Sequence, residues 1–163
     1  MQHPWNTALV TGASSGIGAA IARQLAIAGV DLTVVARRRD RLDELVTGLA
    51  GPGRGQVDTL VADLTNPASM AEVVARLTDP DRPVDLLVNC AGVIRRDAEH
   101  DPEVFADTVA INLTGTMRCC THARTKLSAT GGSIVNIASI LSIFGGPRVP
   151  GYSASKGGVA QLT

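Results

Sequence analysis

Short apolar runs alternate with amphipathic segments along this chain. Five apolar runs predict buried strands, at residues 7–10, 31–36, 57–62, 84–88 and 133–138. Between them, apolar residues recur every three or four positions, which predicts helices. The first helix carries Ile17, Ala20, Ile21, Leu25 and Ala28 on one face. Further helices are predicted over residues 38–49, 66–77 and 101–127, and a last one begins near residue 152.

Turn and cap residues fall between these segments. Gly29 is suited to end the first helix, and Asn66 followed by Pro67 is typical of a helix N-cap and first turn. Strands that alternate with helices in this rhythm pair in parallel through right-handed crossovers. The pattern therefore predicts a Rossmann-like α/β fold, a doubly wound parallel sheet in a three-layer α/β/α arrangement. At 163 residues, the chain is expected to form one domain over residues 1–163.

Composition narrows the partners that this domain is expected to have. Hydrophobic residues make up 45% of the chain, but only four residues are aromatic, so the core is expected to be aliphatic. Fifteen basic residues balance fifteen acidic ones, which gives no reason to expect nucleic acid or an anionic membrane as a partner. No apolar run is long enough to span a bilayer, and a strand from about Thr7 leaves no room for a signal peptide. A cytoplasmic protein with a small-molecule partner is expected.

Cysteines and histidines are few and scattered. The six residues are Cys90, Cys119, Cys120, His3, His100 and His122. Neither a disulfide framework nor a zinc site is expected, because the cysteines are odd in number and loosely spaced. The histidines are expected at the surface or on helices, so no metal site is predicted.

A glycine-rich segment follows the first predicted strand and opens the first helix. Its sequence over residues 11–18 is Thr-Gly-Ala-Ser-Ser-Gly-Ile-Gly. Glycines allow a tight turn, close approach of a phosphate and close packing of helix on strand. The helix N-terminus offers free N–H groups and the positive end of its dipole to a pyrophosphate. The predicted nucleotide contacts are Gly12, Ser14, Ser15, Gly16, Ile17 and Gly18.

The end of the second strand bears on the choice between NAD and NADP. An acidic residue there would accept a hydrogen bond from the adenosine 2′-hydroxyl and repel a 2′-phosphate. The chain instead has Arg37, Arg38 and Arg39, and the first carboxylate after the strand is Asp40. Arginine suits a 2′-phosphate, and Arg37 is expected to be the best placed, which favours NADP. The alternative for Arg38 and Arg39 is a solvated first turn of helix.

The only tyrosine, Tyr152, lies four residues before Lys156, one of only two lysines. On a helix, this spacing puts both side chains on one face. A nearby ammonium stabilises the phenolate, which lets the phenol exchange a proton with a hydroxyl or carbonyl group. Tyr152 and Lys156 are therefore the predicted catalytic pair.

These motifs, in this order, resemble the short-chain dehydrogenase/reductase family over essentially the whole chain. Residues 11–18 are similar to its TGxxxGxG motif, and Tyr152 with Lys156 to its YxxxK motif. The other matches are Asp63-Leu64, an adenine-contacting pair; Asn89-Cys90-Ala91-Gly92, similar to NNAG with Cys90 replacing the second asparagine; Asn112 in a helix; and Ser139 after the fifth strand.

The resemblance implies an NAD(P)-dependent oxidoreductase that moves a hydride between a nicotinamide and a secondary alcohol or ketone. Tyr152 would be the general acid/base, and Lys156 would stabilise the phenolate and bond the nicotinamide ribose. Ser139 would hold the reacting oxygen, and Asn112 would position a water that links Lys156 to solvent. Taken alone, Ser139 would be a turn serine and Asn112 a helix asparagine. Further cofactor contacts would come from Arg37, Asp63, Leu64, Asn89, Ala91 and Gly92.

Two further stretches, residues 91–96 and 138–150, resemble the branch of the family that acts on sugar acids such as deoxy-gluconates. A carboxylated polyol needs a cation near the site, and arginine binds carboxylates bidentately. Arg95, Arg96 and Arg148 follow predicted strands, so Arg95 and Arg148 are predicted substrate ligands together with Ser139. The alternative is that these arginines are solvated or make subunit contacts.

Family members continue beyond the point where this sequence ends. The missing parts would include two more strands and the segment that closes over the substrate, so the fold is expected to be incomplete at its C-terminal end. The helix from residue 101 and the last helix commonly form the family's dimer interface, so full-length relatives are expected to be homo-oligomers. Two hypotheses remain: a dehydrogenase or reductase, of which this chain is a fragment, and a truncated, inactive nucleotide-binding remnant.

Overall fold

The computed structural model describes residues 4–163, and His3 lies outside them. It contains a five-stranded sheet whose strands β1 to β5 are Thr7–Thr11, Asp31–Ala36, Val57–Val61, Leu86–Asn89 and Ser133–Asn136. The strand order is β3-β2-β1-β4-β5, and all neighbouring strands are parallel. Because the order changes direction between β1 and β4, a crevice forms at the carboxyl ends of these two strands. The predicted doubly wound parallel sheet is confirmed.

Seven α-helices accompany this sheet within residues 4–163. They are α1 Gly16–Ile27, α2 Arg39–Leu49, α3 Pro67–Thr78, α4 Pro102–Val109, α5 Gly115–Thr130, α6 Leu141–Phe144 and α7 Pro150–Leu162. The predicted N-cap of α3 is confirmed, because the Asn66 side chain accepts a hydrogen bond from the Ser69 N–H at 3.1 Å. No helix in this described part combines the length and the hydrophobicity that crossing a bilayer requires.

Two apolar clusters cover opposite faces of the sheet. In β1, Ala8 and Val10 point to a cluster that includes the buried residues of α1 and α2. Leu9 points to the other face, where the buried residues of α3 and α5 pack. This alternation follows from the period of two along a strand and from burial of both faces of a parallel sheet. The predicted three-layer α/β/α arrangement is therefore confirmed.

The predicted long helix over residues 101–127 is interrupted. Between α4 and α5, residues Ala110–Thr114 form a π-helical turn, which carries Asn112 into the interior at 0% exposure. The Asn112 side chain accepts from the Val93 N–H at 2.8 Å and donates to the Val93 carbonyl at 2.9 Å. These two bonds join the helix to the segment after β4. Such single π turns inside α-helices are common at functional sites.

Candidate active site

A cavity of about 430 Å³ opens at the carboxyl ends of β1, β2 and β4. The turn after β1, the end of β2, the segment after β4 and α7 all contribute to its wall. The predicted site residues that line it are Gly12, Ser14, Ser15, Gly16, Ile17, Gly18, Arg37, Asp63, Leu64, Ala91, Gly92, Tyr152 and Lys156. Those that do not line it are Asn89, Arg95, Asn112, Ser139 and Arg148. The structure thus joins the glycine-rich turn and the tyrosine–lysine pair in one cavity.

The glycine-rich turn lies directly against the segment after β4. Gly12 has φ +69°, and a Cβ there would lie 2.6 Å from the Cα of Ala91. Thr11, which is 1% exposed, accepts hydrogen bonds from the N–H groups of Cys90 at 3.1 Å and Ala91 at 3.2 Å. Gly12 and Thr11 therefore hold the glycine-rich turn, at one edge of the cavity, against the segment after β4 at the other edge.

The N-terminus of α1 faces the cavity, and its N-cap residue makes no side-chain hydrogen bond to the first helical N–H groups. Ser15 is the N-cap residue, but its side chain makes no capping hydrogen bond. Gly16 has φ +56°, and a Cβ built on it would meet nothing within 4 Å. The first N–H groups of a helix without a side-chain cap can bind an anion. The open space beside Gly16 is where such an anion can approach the backbone.

Two arginines at the end of β2 have different partners. Arg38 donates from one nitrogen to the hydroxyls of Ser14 and Ser15, both at 2.9 Å. Arg37 lies 3.6 Å from Asp63 and is the more exposed member of that pair. Burial acts to raise the pKa of Asp63, but hydrogen bonds from Thr65 and the charge of Arg37 outweigh it, and the pKa falls below its ordinary value. Sequence reasoning emphasised Arg37, whereas Arg38 makes the contact with the glycine-rich turn.

Tyr152 and Lys156 lie in the first half of α7. The Lys156 ammonium is 5.8 Å from the centre of the Tyr152 ring and donates a hydrogen bond to the Ile137 carbonyl. Lys156 is only 5% exposed, and burial lowers the pKa of its ammonium, an effect that Cys90 partly opposes. The predicted placement of both side chains on one helix face is confirmed, and that face borders the cavity.

Asn112 lies behind the cavity wall, close to Lys156. Besides its bonds to Val93, its amide donates to the Ser155 hydroxyl at 3.0 Å. A Cβ on Gly92 would lie 3.3 Å from the Asn112 Oδ1 and 3.7 Å from the Lys156 Nζ. Asn112 and Lys156 therefore both flank Gly92, and the absence of a side chain on Gly92 keeps the space beside them open.

The remaining predicted residues have other partners. Ser139 Oγ accepts from the Leu141 N–H at 3.2 Å, at the start of α6. The Asn89 amide donates to Asn136 Oδ1 at 2.9 Å, which joins β4 to β5. Both predicted substrate arginines form ion pairs: Arg95 with Asp107 at 2.6 Å, and Arg148 with Asp97.

The glycine-rich turn and the helix that carries Tyr152 and Lys156 meet at the carboxyl edge of a parallel sheet. This arrangement defines a nucleotide-binding protein of the doubly wound α/β class. Residues 6–163 match the family model described as short chain dehydrogenase. The chain belongs to the short-chain dehydrogenase/reductase family.

Relatives of the chain carry several different activities. It is 35% identical over 159 residues to an uncharacterized oxidoreductase of Staphylococcus saprophyticus, covering 96% of this chain and 68% of that protein. It is 38% identical over 160 residues to the cis-4-hydroxycyclohexanecarboxylate dehydrogenase of Sinomonas cyclohexanicum, covering 96% and 64%. It is also 38% identical over 160 residues to the 2-dehydro-3-deoxy-D-gluconate 5-dehydrogenase of Bacillus subtilis, covering 96% and 62%. The chain therefore spans roughly two thirds of the length of these relatives.

Solved structures of the family superpose closely on this fold. A short-chain dehydrogenase from Sphingobium yanoikuyae in complex with NADPH matches with a TM-score of 0.88 at 36% identity, over 96% of this chain and 62% of that one. A variant of the actinorhodin polyketide ketoreductase with NADPH matches with a TM-score of 0.86 at 35% identity, over 98% and 62%.

Proposed function

We propose that this chain is the cofactor-binding and proton-transfer part of an NAD(P)-dependent oxidoreductase acting on a secondary alcohol or ketone. The observation that carries the proposal is that Tyr152 and Lys156 line the same cavity as the glycine-rich turn. A proton donor and a dinucleotide cradle in one cavity are what reversible carbonyl reduction requires.

The residues around the cavity fit a dinucleotide. The α1 N-terminus is free of a side-chain cap, and the space at Gly16 is open to a phosphate. Asp63 and Leu64 line the side of the cavity next to β2, as an adenine-contacting pair would. The segment Ala91–Val93 borders the other side, near Lys156. When bound, the nicotinamide would supply or accept the hydride.

Residues of this chain would transfer the proton to and from the substrate oxygen. Tyr152 would donate a proton to the substrate oxygen during carbonyl reduction and accept one during alcohol oxidation. The buried Lys156 ammonium, fixed by the Ile137 carbonyl, would stabilise the phenolate that remains. Asn112 would support Lys156 from behind Gly92. Ser139 would hold the reacting oxygen after its hydroxyl turns from the Leu141 N–H toward the substrate.

NADP is the favoured cofactor, and Arg38 would be its main determinant, supported by Arg37. Replacing Arg38 with alanine is expected to weaken NADPH binding about tenfold, because one charge-assisted contact to the 2′-phosphate is lost. NADH binding should change less than twofold, as measured by fluorescence titration with each cofactor. The exposed Arg39, which does not line the cavity, is the matched control as Arg39→Ala. Equal weakening of NADPH and NADH binding by Arg38→Ala would contradict the assignment of Arg38 to the 2′-phosphate.

Arg37→Asp should move the cofactor preference toward NADH.

A sugar acid is the narrower substrate candidate. The likeness to the 2-dehydro-3-deoxy-D-gluconate 5-dehydrogenase of Bacillus subtilis supports it, while the cis-4-hydroxycyclohexanecarboxylate dehydrogenase supports a cyclic hydroxy acid equally well. Both relatives act on carboxylates, so a cation near the reacting carbon is the shared requirement. A substrate carboxylate would have to compete with Asp107 for Arg95 or with Asp97 for Arg148.

The alternative is nucleotide binding without turnover. It is favoured by the position of Ser139, whose hydroxyl accepts from the Leu141 N–H and does not line the cavity. A screen that follows NADPH oxidation with keto sugar acids, cyclic keto acids and uncharged ketones decides between the two. Turnover of any of them supports the oxidoreductase, whereas tight NADPH binding without oxidation in every case supports the alternative.

Gly16 tests the cofactor site without depending on a substrate. Gly16→Ala is expected to lower the free energy of unfolding by only about 1 kcal/mol, because its positive φ is strained but its surroundings are open. NADPH affinity should fall at least tenfold, since the new methyl group occupies the approach of the pyrophosphate.

Gly131→Ala is the matched control for this variant. Gly131 has φ +70° and nothing within 4 Å of a built Cβ, but it ends α5 away from the cavity. It should lose the same stability and keep wild-type NADPH affinity. If both variants bind NADPH equally, the pyrophosphate does not lie at Gly16.

A further inference from the structure

Glu99 is a buried carboxylate that none of the motifs above includes. It is 1% exposed, and among residues 4–163 no lysine, arginine or histidine forms an ion pair with it. Each of its oxygens accepts one backbone N–H, that of Arg95 on one side and that of Tyr152 on the other, both at 2.7 Å. A buried charge without a cation is retained only where hydrogen bonds of this kind compensate its desolvation.

One of these bonds falls on the first turn of α7. Val149 is the N-cap residue and offers no side-chain hydrogen bond, and Pro150 in the next position has no N–H. Tyr152 is the third helical residue, a position whose N–H a capping side chain ordinarily satisfies. Glu99 supplies that acceptor from another part of the chain. Its negative charge also lies at the positive end of the α7 dipole.

The surrounding contacts hold this link in place. The Asp97 N–H donates to the Arg148 carbonyl at 2.8 Å, and the His100 Nε2 lies 2.9 Å from the Pro147 carbonyl oxygen. Gly151 lies beside the same carboxylate oxygen and against α4, since a Cβ built on it would lie 3.4 Å from the Glu99 Oε2 and 3.3 Å from the Phe105 Cα. Glu99 therefore occupies a tight, fully formed position between the segment after β4 and α7.

We propose that Glu99 is a positioning residue that fixes the backbone of Tyr152 and so sets the place of its phenol above the cofactor cavity. The proposal rests on the proposed function for its effect on turnover. Because the same carboxylate binds Arg95 in the segment that begins at the cavity wall, it holds the cofactor-facing segment and the proton-donating helix in one relative position. A displacement of about 1 Å at such a site lowers a rate by about a hundredfold.

The sole tyrosine makes this position directly measurable. Protein labelled with ¹⁵N- and ¹³C-tyrosine gives one amide signal and one set of ring signals, both from residue 152. Glu99→Gln keeps the volume of the side chain, but its NH₂ group cannot accept from a backbone N–H, so one of the two bonds is lost and the other is made to a neutral amide oxygen, a weaker acceptor than the carboxylate. In either orientation the hydrogen bond of the Tyr152 N–H is lost or weakened. The Tyr152 amide proton should move upfield and its ring signals should shift or broaden. The control is Glu103→Gln, an exposed acid on α4, which should leave both signals unchanged.

Turnover gives the second readout. With NADPH and the best ketone from the screen, Glu99→Gln should lower kcat at least tenfold and leave the Kd for NADPH within twofold, since the pyrophosphate end of the cavity is untouched. Unchanged Tyr152 signals, or wild-type kcat despite shifted signals, would overturn the proposal. If the wild-type protein turns over no ketone, the proposed function fails, and the Tyr152 signals still decide whether Glu99 positions the phenol.

A second variant covers the case in which Glu99→Gln does not fold. Glu99→Asp keeps the negative charge but shortens the side chain by one methylene, so its carboxylate can no longer accept from the N–H groups of both Arg95 and Tyr152 at hydrogen-bond distance. Fluorescence of the only tryptophan, Trp5, which packs against the α1–α2 side of the sheet, reports whether the fold is intact. The Tyr152 amide should shift in the same direction as in Glu99→Gln. An unmoved amide in the folded Glu99→Asp protein would also overturn the proposal.

Discussion

Tyr152→Phe is expected to lower kcat for ketone reduction by about 10²- to 10⁴-fold, the usual contribution of a positioned general acid. The phenylalanine ring fills the same space but has no proton to give to the substrate oxygen. NADPH affinity should stay within about twofold of the wild-type value, because the glycine-rich turn, Arg37 and Arg38 remain. The rate of NADPH oxidation at saturating ketone gives kcat, and a fluorescence titration with NADPH gives its affinity.

Ser153→Ala is the matched control for this variant. It also removes one hydroxyl from α7, at the next position along the helix, but Ser153 does not line the cavity. Its hydroxyl has no hydrogen-bond partner among residues 4–163, so the substitution breaks no hydrogen bond. Its kcat and its Kd for NADPH should both equal the wild-type values. If Tyr152→Phe retains full turnover, another group gives the proton and the proposed mechanism is wrong, even if the cofactor site is right.

The parts of this protein that depend on local periodicity were predictable. The second strand, Asp31–Ala36, has the predicted bounds, and α3 begins at the predicted Asn66 cap. Parallel order and two-sided burial follow from the alternation of strands and helices, since each crossover must return across a face of the sheet. The cavity was predictable for the same reason, because the residues after parallel strands meet at one edge.

Contacts between distant segments were beyond prediction from the sequence. Apolar spacing continues through residues 101–127, so nothing in it marks the π turn that buries Asn112 against Val93. The role of Glu99 depends on the meeting of two segments separated by 53 positions. Similarly, three consecutive arginines give no sign of which one folds back onto Ser14 and Ser15.

The predicted substrate arginines show the limit of reasoning from charge alone. Arg95 and Arg148 do follow strands β4 and β5, as expected for a site at the sheet edge. Each, however, has a carboxylate from a neighbouring segment as its partner, Asp107 and Asp97 respectively. A cation is available to a ligand only to the extent that its own protein leaves it unpaired, and pairing depends on tertiary contacts.

Gly12→Ala is expected to lower the free energy of unfolding by about 4 kcal/mol or more, far beyond a typical point substitution. Two separate effects add. The φ of +69° costs an L-residue about 1–2 kcal/mol, and the new methyl group would lie 2.6 Å from the backbone of Ala91. The Ala91 backbone cannot easily move away, because the Thr11 hydroxyl accepts a hydrogen bond from the Ala91 N–H at 3.2 Å. This bond ties β1 to the segment after β4.

Gly53→Ala separates these two effects in the same urea-unfolding experiment. Gly53 has φ +73° and nothing within 4 Å of a built Cβ, so only the backbone strain remains and the expected loss is about 1 kcal/mol. The difference between the variants then measures the close approach of the glycine-rich turn to Ala91. Because the same approach closes the cavity, the folded fraction of Gly12→Ala should also bind NADPH weakly. Equal losses of stability in the two variants would mean that the turn and the segment after β4 are not in contact, and that this contact does not close the cavity.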